Sequence, residues 1–474
     1  MKPINNNKQK VKYRVPLLVA CVFIIVVLGC EDFVEIDPPR TELVNETVFA
    51  NDNTAIAAIN GIYSEMIGLF EGFTSGGSLS VTYLSGLSAD ELDYFGSFAS
   101  PIEFHANSLT VTNLDITNAL WGRAYFLIFN ANRLIEGLNN SEGVTASVRL
   151  QLEGEAKFIR AFCHFYLVNL FGNVPLVTSS IFQENNVASR NLEAQVYEQI
   201  IVDLKDAQNL LDEDYVTDER VRPNKSVATA LLARVYLYTE DWVNAEAQAT
   251  TVIENTASYD LLADLNSVFL ANSVEAIWQL KPAQSSLNTN EGFNFVLTSS
   301  PVVSSGNVAL TNQLQAAFEL NDNRKVNWVN SYTDGTDTWY YPYKYKIQSD
   351  QEVTEYSMVL RVAEQYLIRA EARIWQGNIV GSQEDLNAIR NRAGLVNTPA
   401  NDQASLLMAI EQERRVELFT EWGHRWLDLK RTDRADAVLS SVPFKDWQLT
   451  DVLYPIPQSE LETNANLLPQ NAGY

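Results

Sequence analysis

Helical spacing of apolar residues recurs along most of this 474-residue chain, and no other pattern restricts its fold as much. Behind the capping cluster Asn51-Asp52-Asn53, residues Ala55, Ile56, Ile59, Ile62, Tyr63 and Met66 keep the rhythm that buries one stripe of a helix. The rhythm continues over residues 113–138 and 146–171, where Gly172-Asn173-Val174-Pro175 stops it. It returns over 192–211, 225–239, 241–254, 360–376 and 383–393, and as one long helix over 403–430. Two intervals lack it. Residues 72–80 read as a Gly/Ser loop and 85–110 as irregular chain. Residues 259–356 scatter Phe293, Phe295, Trp328, Tyr332, Trp339, Tyr340, Tyr341, Tyr343 and Tyr345 among Gly, Ser, Asn and Pro. Long irregular stretches in a compact domain tend to be functional. The expected fold is therefore all-α in the main, with an irregular, loop-rich subdomain.

One helix pair narrows this further. Ala228, Ala230 and Ala233 alternate with Leu231, Leu232 and Tyr236; a Glu240-Asp241 turn follows, then Trp242, Ala245 and Ala249. Small residues where two antiparallel helices touch, and large ones filling the next groove, make a tetratricopeptide-like unit. Residues 360–376 with 383–393, closed by Gly394, form a second candidate pair. The other helices show the pairing less clearly and read equally as a compact helical bundle.

The N-terminus carries a separate signal. Lys2, Lys8, Lys10, Lys12 and Arg14 precede an uncharged run from Val15 to Gly29, a secretory-leader pattern too short to span a bilayer. The cut Val27-Leu28-Gly29-Cys30 resembles a bacterial lipobox, which makes Cys30 the expected lipidation site and first mature residue. Leu18-Val19-Ala20-Cys21 has the same form, but cleavage there would leave an apolar stub. Expected boundaries are thus a signal peptide over 1–29, an N-terminal helical region over 30–258, and a C-terminal region over 259–474. Loss of five cations and no acids takes the net charge from −25 to −30. Such a polyanion is repelled by nucleic acid and by anionic headgroups. Cys163 is then the lone internal thiol, within an apolar helical run, so no internal disulfide is expected.

Glu413, Glu417, Glu421 and Arg425 are spaced by four, with Asp428 continuing the line at three. Like charges at that spacing repel unless cations intervene, and Arg390, Arg414 and Arg415 are at hand. The expectation is a structural ion-pair network. The competing reading, a carboxylate pair for glycoside hydrolysis on a helical scaffold, needs two acids facing each other across a cleft. No metal or cofactor pattern is present; Asn321-Asp322-Asn323 and Asp334 with Asp337 are oxygen-rich but read equally as polar turns. In the early loop, Asp90, Glu91 and Asp93 stand beside Tyr94 and Phe95. Acids next to rings suit a sugar surface, where rings cover C–H faces and acids accept from hydroxyls; a solvated turn gives the same pattern.

Several segments in chain order resemble the SusD/RagB family of outer-membrane nutrient-binding lipoproteins. They are Cys30-Glu31-Asp32-Phe33 through Pro39, Asn60-Gly61-Ile62-Tyr63, Glu153 to Phe162 with Gly172 to Pro175, and Arg234-Val235-Tyr236. Arg369-Ala370-Glu371, Arg390 to Gly394, Glu413 to Asp428, Pro455-Ile456-Pro457 with Glu460, and the ending Asn471 to Tyr474 complete the set. The resemblance implies a tetratricopeptide-like helical-repeat scaffold carrying an irregular, loop-rich subdomain, and a non-catalytic glycan binder without cofactors, lipid-anchored to the outer membrane and facing the exterior. It would cap a SusC-type TonB-dependent transporter barrel. Capture of peptides in the RagB manner is the alternative, and a ligand-free assembly adaptor is a further one. By location only, the resemblance points to Asp90, Tyr94 and Phe95, and to Trp328, Tyr332 and Trp339, as the aromatic platform. Metabolic labelling with a fatty-acid probe should mark the wild-type chain and not Cys30→Ala; an unmarked wild type would discard the anchor.

Overall fold

The computed structural model describes residues 45–68, 72–284 and 286–474. Cys30 and the segment around it lie outside the described residues. A helical turn, Asn45–Val48, belongs to one unit, and Phe49–Tyr474 form a second, compact one. Among the described residues no helix is long and apolar enough to cross a membrane.

Helix α1 (Asp52–Ile67) starts where Asn51 accepts a hydrogen bond from the Thr54 N–H, and it buries Ala55, Ile59, Ile62 and Met66. Helices of eight residues or more then follow as α2 (Val81–Ser88), α3 (Ala99–Ala106), α4 (Arg123–Asn139) and α5 (Ala146–Phe171). A π-helical stretch, Asp115–Gly122, leads into α4. From Gly154 to Val168 α5 is buried almost all round, because it is the central rod against which α1, α4 and α6 (Glu193–Leu210) pack. It ends at Gly172, whose φ of 72° an L side chain rarely adopts.

Helices α7 (Lys225–Tyr238) and α8 (Trp242–Glu254) form one hairpin; α9 (Val362–Trp375) and α10 (Ile379–Arg392) form another. Asn224, Asp241 and Asn378 cap three of the four N-termini through their side chains. The hairpins stack through α8 and α9, although more than a hundred residues separate them in the chain. Fully buried Ala228, Ala245, Ala249, Ala363 and Ala370 permit the close approach.

The aperiodic interval supplies short strands. Strand β1 (Leu92–Tyr94) pairs antiparallel with β3 (Val308–Leu310), and β2 (Ala276–Leu280) with β6 (Ser357–Arg361). Strands β4 (Val329–Thr333) and β5 (Thr338–Pro342) make a hairpin in which Tyr332 faces Trp339. These pairings stitch the interval to both helical regions, so the expected boundary near residue 258 falls inside one continuous unit.

Two sequence expectations need correction. Residues 72–80 form the expected loop, but 85–110 are not irregular throughout: they hold α3 and the end of α2, which is buried along its whole length. Its hydroxyls satisfy partners inside, Ser88 with the Tyr454 hydroxyl at 2.9 Å and Thr82 accepting from the Trp422 N–H at 2.9 Å. Nor is 403–430 one helix. It breaks into α11 (Gln403–Glu417) and α12 (His424–Arg431), with Thr420, Trp422 and Gly423 at φ of 49°, 48° and 71°. A Cβ on Gly423 would sit 3.0 Å from that of Ser85, so the link is pressed against α2.

The break feeds a buried ion network. Arg361 reaches Glu275 at 3.0 Å and Glu421 at 2.8 Å, and also pairs with Glu417. Arg324 pairs with Asp322 at 2.8 Å, Glu413 at 2.6 Å and Glu417 at 3.0 Å. Lys344 holds Glu421; Arg392 holds Glu275 and Glu417; Arg390 holds Glu413. Burial pushes the Glu417 carboxyl up, but Arg392, Arg361 and Arg324 together hold it well below the usual carboxylate range. A depressed folded pKa adds stability above the unfolded value, lost as pH falls through the folded one. Glu417→Gln should therefore destabilise the chain by about 3–5 kcal/mol at pH 7, because it leaves buried guanidinium groups uncompensated. The loss relative to wild type should shrink below pH 4 in urea unfolding; equal loss at both pH values would remove the charge from the account.

Candidate functional site

Three segments meet at one face. Strand β1 and the chain after it (residues 92–98) form the first, the loop 296–307 the second, and the β4–β5 hairpin the third. The Phe95 N–H donates to the Asn307 carbonyl at 2.8 Å, and Tyr94 stands opposite Val308 in the β1–β3 register. Strand β3 packs in turn beside β5. The loop is held from within, since the Asn307 amide donates to the Pro301 carbonyl at 2.9 Å and the Val302 carbonyl at 3.1 Å. Its start, Val296 and Leu297, packs with Tyr341, Tyr332, Trp339 and Tyr343.

The hairpin carries a ledge. Tyr332 and Trp339 face each other across the strands, ring centres 6.4 Å apart and planes 23° from parallel, both half-buried. Strand alternation sends Ser331 and Tyr340 to the opposite side. The turn at the tip sets itself locally: the Asp334 carboxylate accepts from the Thr336 and Asp337 N–H groups, both at 2.9 Å. That carboxylate is thereby committed to its own turn, as Asp322 is to Arg324. Among the described residues no group of three or more His, Cys, Asp or Glu side chains is arranged to hold a metal ion.

Tyr94 and Phe95 are half-buried at the edge of this face. The Tyr94 hydroxyl accepts from the Phe98 N–H at 3.3 Å, and the Phe98 ring is 71% exposed. Phe98 was missed because it lies outside the acid-rich cluster that drew attention to the early loop; its signal is a large ring in a Gly/Ser-flanked segment. Two expected ligand residues are corrected. Trp328 is 0% exposed, its indole N–H donates to the Leu265 carbonyl at 2.9 Å, and Lys344, Arg361 and Arg392 stand over its ring at 5.0–5.8 Å. It is a core lid over the ion network. Asp90 is 2% exposed and pairs with Arg425 and Arg415, each at 2.7 Å. Its carboxylate is spent on holding the early loop to α11 and α12. Asp428 is likewise buried, between Arg414 and Arg431 at 2.7 and 2.8 Å.

A helical-repeat scaffold thus carries two stacked, half-buried rings on a braced hairpin. Residues 87–237 match the family SusD-like_3, described as starch-binding and associating with the outer membrane, and residues 323–474 match SusD_RagB, the SusD family. The chain belongs to the SusD/RagB family. It is 29% identical to SusD-like protein P2 of Formosa agariphila over 98% of this chain and 100% of that one. A SusD superfamily protein of Bacteroides vulgatus superposes with a TM-score of 0.80 at 21% identity, covering 90% of this chain and 99% of that one. A structure titled laminarin binding SusD-like protein superposes at 0.75 with 27% identity, over 90% and 100%.

Beside Asp90, burial and then the Asp90 charge push the Glu91 carboxyl up to about 8. A raised folded pKa adds stability that is fully present below the unfolded value of 4.5 and is lost as pH rises through about 8. Glu91→Gln should therefore gain on wild type between pH 5 and pH 9 in urea midpoints. Parallel profiles for the two proteins would show that Glu91 is not the group concerned.

Proposed function

We propose that this chain is a non-catalytic surface lipoprotein that binds oligosaccharide and passes it to a SusC-type TonB-dependent transporter. The anchor in this reading is Cys30, on the outer membrane and facing outward. The stacked Tyr332–Trp339 pair carries the proposal. Two near-parallel rings at 6.4 Å offer one apolar strip, the surface that the C–H faces of a sugar chain cover. Family membership supports the glycan class, and the laminarin-binding relative supports a neutral polysaccharide as the first ligand to try.

Magnitudes favour weak capture. A ring that removes on the order of 100 Å² of apolar surface from water contributes up to roughly 2.5 kcal/mol. Association costs at least about 4 kcal/mol. Two rings alone therefore leave about 1 kcal/mol, an affinity of roughly 0.2 M, and a third ring, Tyr94 or Phe98, brings it to roughly millimolar order if the chain extends across the face. In calorimetry with laminarin, Trp339→Ala and Tyr332→Ala should each weaken binding about tenfold or more without loss of the folded state. Unchanged affinity in both would discard the ledge, and peptide binding without any glycan response would move the reading to the RagB type. Trp328→Ala should instead cost about 3–5 kcal/mol of stability, as a buried aromatic does.

A further inference from the structure

A cavity of about 330 Å³ opens on a different part of the molecule, between α4, the segment 175–186 and a short C-terminal helix, α13 (Gln458–Thr463). None of its walls comes from the three segments that build the ledge. Trp121 forms its floor, at the last turn of the π-helical stretch, and π-helical turns concentrate at functional positions. Tyr125 rises from that floor, ring centres 5.0 Å apart and planes at 55°, and its hydroxyl donates to the Pro175 carbonyl at 2.9 Å. That bond fixes the ring as a wall. Phe182 stands at the mouth, 68% exposed, an unusual state for a large ring with a cavity at its side.

Polar groups share the lining with these rings. Glu460 projects from α13, pushed up by burial and partly held down by a hydrogen bond from the Trp121 side chain. Thr463 and Asn186 flank it, and no Lys or Arg lines the cavity. One carboxylate without a cation disfavours any anionic guest. A lining that combines rings with acceptor and amide groups fits a molecule with an apolar face and a hydroxylated rim. The volume lies at the lower end of the range for small-ligand pockets.

We propose that this cavity is a second saccharide site, one that takes a neutral pyranose end. The C–H face of the sugar lies against Tyr125 and Phe182, and its hydroxyls donate to Glu460. The proposal rests on the glycan-binding reading and adds a consequence to it. Two weak sites on one chain engage a long polymer together, because the second contact forms at a high effective concentration. Long chains then bind more tightly than short ones, with no new contact at either site.

The test is calorimetry of the full chain with laminarin and with short laminarin-derived oligosaccharides. Phe182→Ala, at an exposed position, and Glu460→Gln are compared with Trp339→Ala. The expected result is two short-oligosaccharide sites in wild type, one in each variant, and at least tenfold weaker laminarin binding in all three. A single site that Trp339→Ala removes, with Phe182→Ala and Glu460→Gln equal to wild type, overturns the second site and leaves the glycan reading standing. No saccharide bound by wild type at all overturns both.

Discussion

Glu417 and Arg361 meet where six parts of the chain converge, and the charges gathered around them govern the arrangement of the rest. Five cations (Arg324, Lys344, Arg361, Arg390 and Arg392) face five acids (Glu275, Asp322, Glu413, Glu417 and Glu421) in a region closed to water. Removing such groups from water is costly, and the cost is met only while each has a partner of opposite sign in good geometry. The network therefore selects a single docking of its elements: a shifted register of α11 would leave an unpaired buried charge. This also explains the break between α11 and α12. An unbroken helix would carry Glu421 along its own axis; the turn through Thr420, Trp422 and Gly423 lets it meet Lys344 and Arg361.

The same network reaches the ledge. Arg324 and Trp328 lie just before β4, and Lys344 lies just after β5. Both feet of the hairpin are thus fixed in the ion cluster, and its base is closed by the Tyr343 N–H donating to the Trp328 carbonyl at 2.7 Å. The early loop is tied down similarly, by Asp90 to Arg415 and Arg425. Charge pairs inside and aromatic rings outside divide the work between holding the face and offering it.

This division sets what could be read from the chain. The bounds of α5, 146–171, and the two stacked hairpins were legible because apolar period, alanine contacts and Asn/Asp caps are all local signals. Helix α2 was not, because Thr82, Ser85 and Ser88 bury hydroxyls where the pattern expects methyls. The break at 418–423 was hidden by acids that keep a spacing of four straight through it. Asp90 and Trp328 failed for a related reason: an acid or a ring in a polar loop looks the same whether it meets solvent or a distant partner. The partners of Asp90 lie 325 and 335 residues away, and nothing local marks them. Tyr332 and Trp339 were legible as candidates, but their pairing depends on the register of a hairpin that the aperiodic reading did not include.

The clamp has an energetic consequence for recognition. Side chains that must be ordered on binding cost about 0.5–1.5 kcal/mol each. Tyr332 and Trp339 are already positioned by cross-strand pairing, by packing on Val296 and Leu297, and by a hairpin fixed at its feet and at its Asp334 turn. Little of the apolar gain is then spent on ordering the rings. In the proposed reading, affinity is limited instead by the area that two half-buried rings can offer, which caps it at a low value however well the ligand fits. Within the transport reading that cap is useful: a rigid, shallow ledge gives selectivity through shape while keeping release fast, and strength comes from the length of the polymer rather than from any one contact.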